Sequence, residues 1–429
     1  MQRRVFLKSG ALALVTMGLS PSFLQRTVMG MSLPKAARGK TLICLFQRGA
    51  ADALNVVVPF GEKAYYTARP QLAVAAPTRA AGANAAIELD GFFGLHPSLA
   101  PFKPLYDRGL LVPIHAVGSP SATRSHFDAQ DYMESGTPDN KGTRDGWLNR
   151  LLAVQGTCEA NCAPGHEHKP SPFRAVSMTQ QTPRILDGNA PVIAMNSLEE
   201  FTIRGGGGDA AARLEALYRT GKADVVHGSA SDMFDAVKML RAANPMQYRA
   251  ANGATYPRSA FGQRLAQIAQ LIKADVGLEV AFADVGGWDT HVNQGGAQGQ
   301  LANRLGDFAQ SVAALVADLG DRMEDVVILT MSEFGRTVRQ NGTGGTDHGH
   351  AGAMFVLGGS LAASKRVLGR WPGLEREQLH EGRDLALTTD FRAVFSEITA
   401  RHLGGDALDR VFPGYGRRDS EWLGLLPGA

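Results

Sequence analysis

Cysteine is scarce in this chain. Three cysteines among 429 residues are too few for a disulfide-built scaffold, and a chain of this length buries an ordinary core without one. Long apolar runs are missing too: no stretch approaches the ~20 residues that a membrane-spanning helix needs. Charge of one sign is also absent, since 44 Lys and Arg oppose 41 Asp and Glu for a net +3. Residues 1–38 hold Arg3, Arg4, Lys8, Arg26, Lys35 and Arg38 and no acid, so removing those six positive charges leaves −3 for the remainder. A near-neutral body offers no electrostatic footprint for nucleic acid or anionic lipid. No haem, iron–sulfur or dinucleotide fingerprint occurs, which argues against a redox enzyme.

What is present begins with Arg3-Arg4-Val5-Phe6-Leu7-Lys8, followed by a short, weakly apolar run from Ser9 to Leu19. A twin arginine before such a run is the pattern of a Tat export signal, so residues 1–38 are read as a leader handled by the Tat translocase. The expected location is the periplasm or outside the cell, with no transmembrane span after signal removal. Cys44 sits in an apolar run and is expected to be buried. Cys158 and Cys162, followed by His166 and His168, admit a local disulfide or a small metal site; an oxidising compartment favours the disulfide.

Five apolar runs read as strands buried on both faces: Lys40–Phe46, Leu110–Val117, Leu278–Ala283, Asp325–Met331 and Ala353–Leu357. Helical stripes lie between and after them. Leu301, Leu305, Phe308, Val312, Leu315 and Leu319 form one, Phe261, Leu265, Ile268 and Ile272 another, and Asp390–His402 is a third helix. The alternation predicts an α/β fold, a mainly parallel sheet covered by helices on both faces. One domain over residues 39–429 is expected, with insertions at about 154–172 and 205–254, the latter opening on Gly205–Gly208 as a hinged lid or a plain loop.

Ligands of open α/β sheets bind beyond the carboxyl ends of the strands, and five segments carry polar groups there. Asp52 follows the first strand, Ser119–His126 the second, Asp289 and His291 the third, and Glu333 and Arg336 the fourth; Asp347–His350 adjoins the fifth. Carboxylates and imidazoles in glycine-rich turns suit a divalent cation. The expected ligand set is Asp52, Asp289, His291, Glu333, Asp347, His348 and His350. Zinc is expected first, manganese or calcium after it, as one or two ions.

Arg48-Gly-Ala-Ala-Asp52, Ser125-His-Phe-Asp-Ala-Gln-Asp131, Gly287-Trp-Asp-Thr-His291, Ser332-Glu-Phe-Gly-Arg-Thr337 and Gly345-Thr-Asp-His-Gly-His350 resemble the signature segments of an exported bacterial family, domain of unknown function 1501. That family is grouped with the alkaline-phosphatase-like superfamily of phosphatases, sulfatases and phosphomutases. The resemblance runs from about residue 40 over nearly the whole chain. It implies an alkaline-phosphatase-like fold, divalent metals at the sheet edge, and a hydroxyl that attacks a phosphate or sulfate ester. Asp52 would match the acid after the first strand, Asp289 and His291 one metal's acid and histidine, Glu333 the next acid, and His348 or His350 the late histidine. Two departures stand out: only Thr290 separates Asp289 from His291, and Glu333-Phe334 replaces the superfamily's Asp-His pair.

For the nucleophile, Ser125 is the first expectation and Thr123 the second; the alternative is a polar turn whose hydroxyls cap the helix starting near Phe127. Arg48 and Arg124 are expected to bind the substrate anion, with Arg336 in the catalytic set, or else all three orient acids such as Asp52, Asp128 and Glu333. The function expected is hydrolysis of a small anionic ester or a sulfated or phosphorylated polymer. The competing reading is a non-catalytic cell-surface or matrix protein that keeps the fold and one structural metal.

Overall fold

The computed structural model describes residues 39–78, 80, 82–155, 171–198, 248–362 and 365–428. The leader, Cys158, Cys162, His166, His168 and most of both expected insertions lie outside the described residues. In chain order the main elements are β1 (Thr41–Gln47), β2 (Leu111–Gly118), α1 (His126–Ser135), α2 (Trp147–Val154), β3 (Ala175–Ser177), β4 (Ile193–Ala194), α3 (Ala260–Lys273), β5 (Val280–Val285), α4 (Gln300–Leu319), β6 (Val326–Met331), β7 (Gly352–Gly358), β8 (Thr389–Asp390) and α5 (Phe391–Leu403).

The strands form one eight-stranded sheet in the order β8-β2-β7-β6-β1-β5-β3-β4. The central run of β1 explains its place. Alternate side chains of a strand point to opposite faces. Ile43 and Leu45 pack on one side with Leu265 and Ile268 of α3 and Leu305 and Val312 of α4. Leu42, Cys44 and Phe46 pack on the other with Leu148 and Leu151 of α2 and Val394 and Ile398 of α5. Helices therefore cover both faces, as the continuous apolar runs predict. Among the described residues, no helix is long and apolar enough to cross a membrane.

One strand departs from the parallel expectation. β7 runs antiparallel to both neighbours, β2 and β6. Its amino end therefore lies at the same edge as the carboxyl ends of β1, β5 and β6, which are parallel to one another. Residues 346–351, which precede β7, reach the functional edge only because of this reversal. The two- and three-residue strands β3, β4 and β8 are too short to show a period in the sequence.

Candidate metal centre

Three imidazoles and one carboxylate meet at this edge. Ser125 caps α1, its hydroxyl accepting from the Asp128 amide at 3.5 Å, and His126 is the first helical residue. The His126 Nδ1 donates to Glu333 Oε1 at 2.8 Å. One turn on, Gln130 Nε2 donates to the same oxygen at 2.8 Å, because residues four apart share a helix face. Gly49 N adds a third donor at 2.8 Å. Glu333 is fully buried, yet these bonds overcome desolvation, which raises a carboxyl's pKa, and hold it below its usual value. The bond to Glu333 in turn raises the His126 imidazole above its ordinary value.

His348 and His291 are anchored in the same manner. His348 Nδ1 donates to the Arg124 carbonyl at 2.9 Å, and His291 Nδ1 to Asp347 Oδ1 at 2.9 Å. Each anchor places the proton on Nδ1 and leaves Nε2 as an acceptor. All three Nε2 atoms then turn toward Asp289: His291 at 2.9 Å and His348 at 3.2 Å from Oδ1, His126 at 3.5 Å from Oδ2. Arg336, buried to 1% exposure, donates to Asp289 Oδ1 and to the carbonyls of Gly49, Ala50 and Thr346, fixing the carboxylate against three loops. Desolvation raises the Asp289 pKa, but the bond and charge of Arg336, together with His291 and His126, outweigh it and the group lies below its usual value.

These donors fit a divalent cation. The ligand atoms of His126, Asp289 and His348 lie within 4.8 Å of one another. His126 Nε2 is buried and makes no hydrogen bond. His291 Nε2 and His348 Nε2 approach to 3.0 Å, acceptor facing acceptor, an arrangement that a shared cation relieves. Histidine ligands of metals characteristically donate their second nitrogen to a carboxylate or carbonyl, as all three do here.

The expected residues divide clearly. Asp289, His291, His348 and Asp347 come together, Asp347 behind His291. Glu333 also arrives, but its oxygens are taken up by His126, Gln130, Gly49 and Ser332, so it orients His126 and faces away from the cluster. Asp52 is corrected more sharply. It is fully buried and bound in two-pronged fashion by Arg69 at 2.6 and 2.9 Å, with Gln294 Nε2 at 2.6 Å, so its oxygens are already committed. His350 stacks on His380 at 4.0 Å instead of joining the cluster, and burial lowers its pKa to about 4.

Arg48 is spent on Glu134 at 2.8 Å and Asp284 at 2.7 Å, and Arg124 on Asp384 at 2.8 Å and Glu381 at 2.5 Å. Neither is a free anion clamp. Ser125 serves as the helix cap, and Thr123 Oγ1 accepts from the Ser125 amide at 3.3 Å. His126 lay outside the expected ligand set. Its signal was a histidine at the first position of a helix that follows a buried strand.

The fold and this cluster define an α/β protein whose sheet edge gathers histidines and an aspartate that could hold a metal ion. Residues 39–411 match the family described as protein of unknown function (DUF1501), and the chain belongs to that family. A sulfatase of known structure, PsFucS1 from Pseudoalteromonas sp., is similar at 12% identity and a TM-score of 0.37, over 89% of this chain and 70% of the sulfatase. A comparison with curated proteins found no match.

Proposed function

We propose that the protein is an exported, metal-dependent hydrolase of phosphate or sulfate esters. The observation that carries this is the convergence of three anchored imidazoles on Asp289. Asp289, His126 and His348 would hold the ion, with His291 as a fourth donor. Nitrogen-rich donors with one carboxylate select zinc first and manganese next, and weigh against calcium, which takes oxygen ligands. A divalent ion held there supplies Lewis acidity toward an ester oxygen and lowers the pKa of an attacking hydroxyl. The chain's own share is orientation: Glu333 aims His126, Asp347 aims His291, the Arg124 carbonyl aims His348 and Arg336 sets Asp289. Ser125, beside His126 in the chain, is the proposed nucleophile, with Thr123 behind it.

Protein purified without chelators should contain one equivalent of zinc by elemental analysis and turn over an aryl phosphate or sulfate. Asp289→Asn should lose both metal and turnover, whereas Ser125→Ala should lose turnover alone. A fully metallated protein inert toward a broad ester panel would transfer the assignment to the second reading, a non-catalytic surface or matrix protein with one structural metal. The commitment of Arg48 and Arg124 to carboxylates favours that alternative.

The twin arginine Arg3-Arg4 supports export through the Tat translocase. Replacing both by Lys should retain the protein in the cytoplasm; unchanged export would remove the assignment.

A further inference from the structure

Gln294 lies between β5 and α4 and is fully buried. Its side-chain amide makes three hydrogen bonds. Nε2 donates to Asp52 Oδ2 at 2.6 Å, and Oε1 accepts from Thr290 Oγ1 at 2.7 Å and from Thr346 Oγ1 at 2.8 Å. A carboxylate only accepts, so Asp52 fixes which end of the amide faces it, and both threonine hydroxyls donate to the other end. Thr290 and Thr346 are as buried as Gln294, so solvent does not compete for these bonds.

Thr290 stands between Asp289 and His291, and Thr346 begins the run Thr346-Asp347-His348. The backbones of the two loops meet at these same residues, the Thr346 amide donating to the Thr290 carbonyl at 3.2 Å, and the Gln294 amide donates to the Gly344 carbonyl at 2.8 Å. Asn341 joins the loops at their outer side, donating to the His291 carbonyl at 2.9 Å and to Asp347 Oδ1 at 3.1 Å. The Nε2 atoms of His291 and His348, 3.0 Å apart and both acceptors, contribute no attraction of their own. Their spacing is therefore set by the bonds behind them, and the innermost of those bonds meet on one oxygen, Gln294 Oε1.

From this geometry we infer that Gln294 is a positioning residue for the metal ion: its side-chain oxygen holds the His291 and His348 loops at the separation that lets both imidazoles reach one ion. The inference rests on the metal reading above and not on the ester chemistry. Gln294 acts through Thr290 and Thr346 and not on the ion itself. Its anchor is the Asp52–Arg69 pair, whose guanidinium also donates to the Thr337 carbonyl at 2.8 Å; the Thr337 amide in turn donates to the Asp347 carbonyl at 2.9 Å. Asp52, expected as a ligand, thus serves the site from behind. Ligands bind an ion tightly only when groups outside the coordination sphere hold them in place.

The test measures zinc affinity of the full chain by competition with a chelator, and the visible absorption of the cobalt(II) form, which reports ligand geometry. Gln294→Met, similar in length but with no acceptor oxygen, should lower zinc affinity about tenfold and alter the cobalt spectrum. Thr346→Val, which keeps the bond from Gln294 to Asp52, should give a smaller loss in the same direction, and Thr346→Ser, which keeps the hydroxyl, should restore the wild-type affinity and spectrum. Denaturant midpoints of the metal-free proteins register any purely structural loss separately. Wild-type zinc affinity and cobalt spectrum in folded Gln294→Met and Thr346→Val, with stability alone reduced, would overturn the positioning role and leave the metal reading standing. A wild-type protein that binds neither zinc nor cobalt would overturn both.

Discussion

Asp52 and Glu333 are both acids that follow a buried strand, both are fully buried, and their roles differ because of their partners. Arg69 binds the Asp52 carboxylate in two-pronged fashion and is itself inaccessible to solvent. Removing one member of such a pair strands the other charge in a low-dielectric interior. Asp52→Asn should therefore lower stability by about 3 kcal/mol while the folded protein keeps its full metal stoichiometry. Glu333→Gln should do the reverse: metal affinity should fall by ~10- to 100-fold, as for partners of other metal-bound histidines, with a smaller loss of stability. Denaturant midpoints and competition with a zinc chelator separate the two. A stoichiometric loss of metal in folded Asp52→Asn would return Asp52 to the ligand set. Asp289, His291, Asp347 and His348 were legible in the sequence because Gly-rich turns with alternating acids and imidazoles carry a local signature. The division between Asp52 and Glu333 was not, since it depends on Arg69 and His126, whose contacts no local pattern records.

At the scale of elements, the loops succeed because the backbone allows them to touch. Gly49, just past β1, adopts φ +116°, and a Cβ built there would lie 2.7 Å from the Asp289 amide. A left-handed φ with backbone in the way admits only glycine. Gly49→Ala should push the Asp289 loop outward, weakening metal binding and lowering stability by about 1–3 kcal/mol. Wild-type zinc affinity in that variant would show that the loop is not held by this contact. β1, β2, β5, β6 and β7 were visible as apolar runs, and α3 and α4 as stripes. The sense of β7 was not visible, because a buried run is the same read in either direction. The loop before it joins the site for that reason alone.

For the molecule as a whole, burial of histidine sets the response to acid. Desolvation lowers the pKa values of His115, His350 and His402 to about 4, against 6.5 in an unfolded chain. Between those values the unfolded chain binds more protons than the folded one, so stability rises with pH across this window and is lost as pH falls through it. Each histidine contributes a slope of about 1.4 kcal/mol per pH unit within the window. His126 acts in the opposite sense. Its raised pKa stabilises the fold at low pH, and that contribution is lost as pH rises through the folded value. Denaturation midpoints measured from pH 4 to 7 should fall steeply toward acid, and His402→Gln should shallow the slope by about one proton. A flat profile would show that these histidines are not neutral in the folded state.

By itself, the sequence determined which segments are buried and which edges are polar. Alternation in Leu42–Phe46 loads both faces of β1, the stripes of α3 and α4 supply its cover, and the glycine-rich turns bring acids and histidines to strand ends. Burial is encoded locally, in residue type and period, and so it can be read along the chain. Only the tertiary structure decided the reversal of β7, the capture of Asp52 by Arg69 and the pairing of His126 with Glu333 across 207 positions of sequence. A charge takes its role from the group it faces, and that group is chosen by the folding of distant segments onto one edge.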